Sequence, residues 1–244
     1  PKALFILNWT AILSLEYHRQ FTHSLFFIPF GSLIFAILIF PLFKSSLSLK
    51  SVYFASFLGY ATHGLLDACT SYGTQLFWPF SNERISWNNI SIVDPLFTIP
   101  ILIFLVIAVK TKKKTFSFFG IGWIIFYLTL GYVQYERALS AAIELATMRG
   151  HNAERLTLKP SFGNLILWKS IYQHKETFYV DAIRIVQSST WCSGDTIRVF
   201  DYKYHLPDLD KESQQKKDIE RFRWFSQDYL GYYKEKNVVA DVRY

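Results

Sequence analysis

Four apolar runs of about twenty residues each restrict this chain more than any other feature. They cover residues 24–43, 51–70, 92–109 and 116–135. Each is long enough to cross the hydrocarbon core of a bilayer as a helix, and in lipid only helices and closed barrels satisfy their own backbone groups. Pro29 and Pro41 fall inside the first run, which a membrane helix tolerates better than a soluble one. Residues 1–135 hold nine Lys/Arg and four Asp/Glu, whereas residues 136–244 hold seventeen and fifteen. At 51% hydrophobic and 18% aromatic, the chain is too apolar for an ordinary soluble domain. The sequence therefore predicts a membrane α-helical bundle of about four transmembrane helices over 1–135, followed by a small α+β domain over 136–244.

The connectors predict an orientation. Lys44 and Lys50 flank the first turn, and Lys110, Lys112, Lys113 and Lys114 fill the turn after the third run. Short Lys-rich loops face the cytoplasm. The opposite ends of the runs then face outward, together with Glu16, Asp67, Glu83 and Asp94, the loop 71–90 and the whole C-terminal domain. In that loop Trp78, Phe80 and Trp87 suit the headgroup zone as anchors, or form a lid with Asn88 and Asn89 as polar contacts. The apolar opening, residues 3–15, is short for a span; it reads as a span clipped at its start, or as an interfacial helix. It lacks the basic start and small-residue cleavage site of a signal peptide. Cys69 and Cys192 are too few for a disulfide framework and read as unpaired thiols, or as one pair in an oxidising compartment.

Beyond residue 135 the pattern changes. Residues 136–150 recur at helical spacing up to Gly150. Residues 164–172, 178–187 and 196–204 are β-like runs parted by turn material, 211–225 is a charged amphipathic helix, and 237–244 closes as a strand. There is no internal repeat and no nucleotide-binding Gly loop, and no direct nucleic-acid binding is expected.

His63 and Asp67, four apart in the second run, lie about 40° apart on a helix and so face one direction. An imidazole and a carboxylate on one face of an apolar helix are costly unless paired, wetted or metal-bound. His18 and His23 precede the first run. Five apart, they cannot both point inward from a regular helix, so at least one sits in a turn, with Thr22 or Ser24 able to cap the helix start. Neutral imidazole and carboxylate are natural ligands for zinc or a similar divalent ion, which makes His18, His23, His63 and Asp67 the candidate metal site. His63 and Asp67 are the candidate catalytic pair. His151, His174 and His205 sit in polar contexts and read as surface residues.

His18-Arg-Gln-Phe-Thr-His23-Ser24, followed by His63-Gly-Leu-Leu-Asp67-Ala-Cys-Thr70-Ser-Tyr-Gly73 and Trp78-Pro-Phe80, resembles the YdjM-like family of membrane-bound metal-dependent hydrolases. That family is also described as LexA-binding and inner-membrane-associated. The motif core covers residues 16–95, and Trp224-Phe-Ser226 with Asp241-Val-Arg-Tyr244 is similar to the C-terminal part of longer members. The family is similar to zinc-dependent phospholipase C, whose trinuclear site also uses an HxxxD helix. The resemblance implies metal-ligand roles for His18, His23, His63 and Asp67, a bacterial inner-membrane location and a LexA-type regulator as a partner. Members carry a Pro-Asp-x-Asp segment upstream of the first histidine motif. Pro1-Lys2-Ala3-Leu4 has no carboxylate, so this chain begins after that segment or lacks those acidic ligands.

Residues and resemblance together predict a multi-pass membrane hydrolase with a divalent-metal site at the outer surface. Its water nucleophile would attack an ester or phosphoester of a membrane lipid or lipid-linked molecule. A non-catalytic scaffold or regulatory partner of the LexA-binding type is the alternative. An ion-coupled transporter is disfavoured, because the runs lack polar groups across their midplane.

Overall fold

The computed structural model describes residues 13–15, 17–234 and 238–244. The opening run 3–15 therefore lies almost wholly outside the described residues. The chain divides into two compact units, residues 1–87 with 217–225, and residues 88–216 with 226–244.

The first unit is built on a helical hairpin. A 3₁₀ turn, Phe21–His23, leads into helix α1, Ile28–Phe43, which returns as α2, Leu49–Ala68. Ser48 starts α2 as an N-cap, its hydroxyl accepting the backbone N–H of Ser51. The facing surfaces are narrow: Ile28, Ser32 and Ala36 of α1 are buried, with Val52, Gly64 and Ala68 of α2. Large apolar side chains point away from the pair, among them Leu38, Leu42, Phe54 and Leu58. The following loop folds back over the 3₁₀ turn. Gln75 N–H donates to the Arg19 carbonyl at 3.0 Å, and Leu25 N–H donates to the Leu76 carbonyl at 2.9 Å. Arg84 fastens the loop to itself through the carbonyls of Tyr72 and Gly73, and its guanidinium lies over the Phe225 ring at 4.7 Å.

The second unit opens with another hairpin, α3, Pro95–Thr111, and α4, Thr115–Met148. Asp94 caps α3, accepting the N–H groups of Leu96 and Phe97, and Tyr127 of α4 donates its hydroxyl to the same carboxylate at 2.9 Å. At 34 residues α4 is about 51 Å long. Its first half exposes Phe118, Ile121 and Ile125; its second half buries Ala138, Ala142 and Leu145. The second half packs on a six-stranded antiparallel sheet in sequential order, β1 (Arg155–Pro160), β2 (Leu167–His174), β3 (Thr177–Ile185), β4 (Ser189–Val199), β5 (Leu230–Tyr233) and β6 (Val238–Asp241). A short helix α5, Tyr202–His205, and α6, Gln214–Phe225, lie between β4 and β5. Trp168, Ile171, Phe178 and Val242 are fully or almost fully buried in the sheet's core.

The four-helix transmembrane bundle predicted from the apolar runs is not what forms. Among the described residues only α4 is long and apolar enough to cross a membrane. An apolar run is not a helix of equal length. The first run gives up residues 24–27 to the turn that follows the 3₁₀ turn, leaving 16 residues in α1. The third cannot begin before the Asp94 cap, leaving 17 in α3. The second reaches 20 residues, but Lys50, His63 and Asp67 lie within it. The fourth run and the helix predicted after it are one element. The C-terminal part is the six-stranded sheet, in which β2, β3, β4 and β6 overlap predicted strands while β1 and β5 were not foreseen. Cys69 and Cys192 are both free.

One lysine gives the sheet a pH dependence. Lys159 on β1 donates to the Arg243 carbonyl at 2.8 Å. Burial, with Arg243 and Lys169 nearby, pushes its amine down to about 7 against the opposing pull of Asp241. Below that pH both folded and unfolded chains bind the proton; from there up to the ordinary lysine value only the unfolded chain does, so stability rises with pH across this window. The stability of the wild type relative to Lys159→Met should accordingly climb between pH 7 and 10, by at most about 1.4 kcal/mol per pH unit. Parallel denaturation midpoints for the two proteins over that range would show the lysine to be unperturbed.

Candidate metal centre

The last two turns of α2 place His63 and Asp67 on one face, and the 3₁₀ turn brings His23 against them. The contact depends on Gly64. A Cβ at that position would lie 2.7 Å from the His23 carbonyl oxygen, so only glycine lets the two backbones approach this closely. Asp67 Oδ2 is the common point: His23 Nε2 lies 3.0 Å away and His63 Nε2 3.7 Å. The two imidazole rings are 4.5 Å apart, and the ligand atoms of His23, His63 and Asp67 all lie within 4.8 Å of one another. Thr22 bonds its hydroxyl to His23 Nδ1 at 2.9 Å, which aims the other ring nitrogen at the carboxylate.

Arg19 completes the surroundings, and sequence reasoning missed it. Its Nε sits 3.2 Å from Asp67 Oδ2, and its terminal N–H groups donate to the Asp67 carbonyl and to Thr70 Oγ1. The guanidinium is 9% exposed and lies over the Tyr72 ring. It therefore satisfies one C-terminal carbonyl of α2 as well as the side chain, where a cation is favoured. His23 and Arg19 both pair with the Asp67 carboxylate and balance its charge at the helix end. The available signal was its position: the only charge inside the His18–His23 motif, five residues from the apolar run.

His18 stands apart from the cluster. It lies in a turn, its ring edge-on to Tyr72 at 5.2 Å. Both N-terminal histidines occupy turns, where their spacing required at least one to do so, and Ser24 accepts the Phe27 N–H just before α1. Asn88 and Asn89 are buried, Asn89 donating to the Leu128 carbonyl, while Phe80 and Trp87 are exposed. The other histidines are more engaged than their polar context suggested. His151 bonds the Tyr172 hydroxyl and stacks on His174, and His205 packs on Tyr232.

The donor set fits a zinc-like ion. It offers two imidazoles and an ionised carboxylate with one side open, because the side chains of His23 and Asp67 are 12% and 20% exposed but that of His63 is 56% exposed. Three protein ligands and an open position are the pattern of catalytic rather than structural zinc sites. Gly64→Ala should displace the His23 turn and cost about 1–3 kcal/mol. Gly59→Ala, whose Cβ meets nothing within 4 Å, should leave stability unchanged or slightly raised. Thermal unfolding of the two variants side by side reads the difference, and equal midpoints would refute the close approach.

Comparison with known proteins gives one match. No curated protein and no solved structure matches the chain. A family model described as YdjM inner membrane protein matches residues 3–138, more than half of the sequence, and includes every member of the cluster. The chain belongs to the YdjM inner membrane protein family.

Proposed function

We propose that the protein is a metal-dependent hydrolase of the inner membrane, acting on an ester or phosphoester at the outer membrane surface. The observation that carries this reading is the convergence of His23, His63 and Asp67 within 4.8 Å, open on the His63 side. A divalent ion held there, zinc being the best fit to the donors, supplies Lewis-acid activation of water. The chain's own residues do the rest. Thr22 fixes the His23 ring, Arg19 keeps Asp67 in place, and exposed His63 is free to adjust as substrate enters. The cluster meets at Asp67 Oδ2.

Protein purified without chelator should carry about one divalent ion per chain. His63→Ala and Asp67→Ala should remove most of it, and Thr22→Val should weaken retention about 10–100-fold by freeing the His23 ring. His174→Ala, on the sheet, should retain it. Elemental analysis of the four variants decides the matter. A wild type that holds no ion and gains no thermal stability from zinc or manganese ends this reading.

The reading includes a multi-pass topology in which the sheet is extracytoplasmic. Lys110, Lys112, Lys113 and Lys114 lie at the turn between α3 and α4, and such a turn stays in the cytoplasm. A reporter fused after Lys112 should read cytoplasmic and one fused after Gly150 extracytoplasmic; both on the same side would refute the arrangement.

A further inference from the structure

A cavity of about 540 Å³ lies between α1 and α2, and no charged side chain lines it. Phe35, Ile39 and Phe43 of α1 form one wall, spaced four apart on a single face. The other wall carries Val52, Ser56 and Gly59 of α2. The Ser56 hydroxyl is turned back to the Val52 carbonyl at 2.8 Å, so this wall presents almost no polarity. Gly59 is exposed and its missing side chain leaves open space, so the cavity is a groove accessible from outside.

The groove has a direction. Val52, Ser56, Gly59 and His63 follow one another at intervals of four, three and four, so the residue that continues this wall is a member of the metal cluster. Between them Tyr60 lies against Gly31, within 3.1 Å of where its Cβ would be, and ends the groove one turn short of His63. The far end is Leu47, in the turn between the helices. From Leu47 to Tyr60 the groove follows about 20 Å of chain. One leaflet's hydrocarbon is roughly 15 Å deep.

We infer that this groove holds one acyl chain of a membrane lipid, its headgroup end directed to His23, His63 and Asp67. The inference deepens the proposed function and rests on it for the orientation of the lipid. An acyl chain fits the apolar, uncharged lining and the length. The headgroup end meets the open, His63 side of the cluster, where an ion held by His23, His63 and Asp67 would complement a phosphate. The volume falls in the range of about 300–1,000 Å³ typical of ligand pockets. Chain length is then read by the groove: each methylene buried tightens binding about fourfold until Leu47 is reached, and further ones add nothing.

The test uses the full chain in phosphatidylethanolamine/phosphatidylglycerol vesicles with a phosphatidylglycerol carrying a photoreactive group on its acyl chain. Labelling should concentrate at Val52, Ser56 and Tyr60, at least tenfold above Phe54 and Leu58, which face outward on the same helix. Gly59→Leu, filling the groove, should lower that labelling tenfold or more while zinc content stays at the wild-type level. Should that variant fail to fold, a series of probes of increasing chain length on the wild type reads the same groove, with labelling that rises and then levels. Uniform labelling of groove and outward positions overturns the inference, as does cross-linking between two copies of the chain through Gly59. Zinc bound without selective labelling leaves the hydrolase reading standing and removes the groove. Selective labelling in a protein that binds no zinc does the reverse.

Discussion

Everything distinctive in the first unit converges on one carboxylate oxygen. Asp67 Oδ2 receives Arg19 at 3.2 Å and His23 at 3.0 Å, with His63 at 3.7 Å. A carboxylate with 20% of its surface left to solvent at the end of an apolar helix is stable only with such partners. Arg19 and His23 arrive from a stretch more than forty residues earlier, so the ion pair also fixes the approach of the chain to α1. The Asp67 backbone carbonyl at the end of α2 shares the same cation, and the Gln75 N–H bonds the Arg19 backbone carbonyl, which ties the following loop to the same point. Removing the Arg19 side chain would therefore leave a charge and a helix end unsupported together, which is why the interaction is structural before it is chemical.

The second unit answers a different constraint. A single helix, α4, has to serve an apolar surround with its first half and a β-sheet with its second. Its buried positions change from Gly120, Tyr127 and Gly131 to a run of alanines, and the side chains that bond to the sheet begin at Gln134. Gln134 donates to the Leu165 and Ile185 carbonyls, and Arg149 makes a two-bond pair with Asp181 that also reaches Tyr172 and Ser193. These bonds lock the helix to the sheet at its two ends. The small alanine side chains between them set the close packing distance. Gly131 has the same role at the start, since a Cβ there would lie 2.2 Å from the Asn89 carbonyl oxygen.

Hydropathy located the helices of the first 148 residues but misjudged their lengths, because it registers composition and not capping. The Asp94 carboxylate and the turn between Ser24 and Phe27 are local hydrogen-bonding events at the starts of apolar runs, and they shorten those helices by three and four residues. The strands that were legible are rich in Ile, Val and Tyr. Arg155–Pro160 alternates Leu with Arg, Thr and Lys over only six residues, and Leu230–Tyr233 contains a glycine wedged between Ile197 and Val242. Neither carries enough apolar surface to announce a strand. At the site, the i,i+4 spacing of His63 and Asp67 was sufficient to align them, and His23 joined them. His18, five residues earlier in the same turn region, went to Tyr72 instead. Helical periodicity is a strong guide along one element and a poor one for choosing between two histidines in a turn.

The cluster is unequally committed, and that inequality bears on what it can do. His23 is fixed at both ring nitrogens, by Thr22 and by Asp67, and Asp67 is fixed by Arg19. His63 is more than half exposed and sits beyond hydrogen-bond distance of the carboxylate. Two of three donors are thus held in place before anything binds, and the third has room to move. A site built only to neutralise a helix end would have no use for the loose imidazole, since Arg19 already serves that purpose. A site built to admit a ligand from one side needs such a group on the open side, facing the direction from which the groove between α1 and α2 approaches.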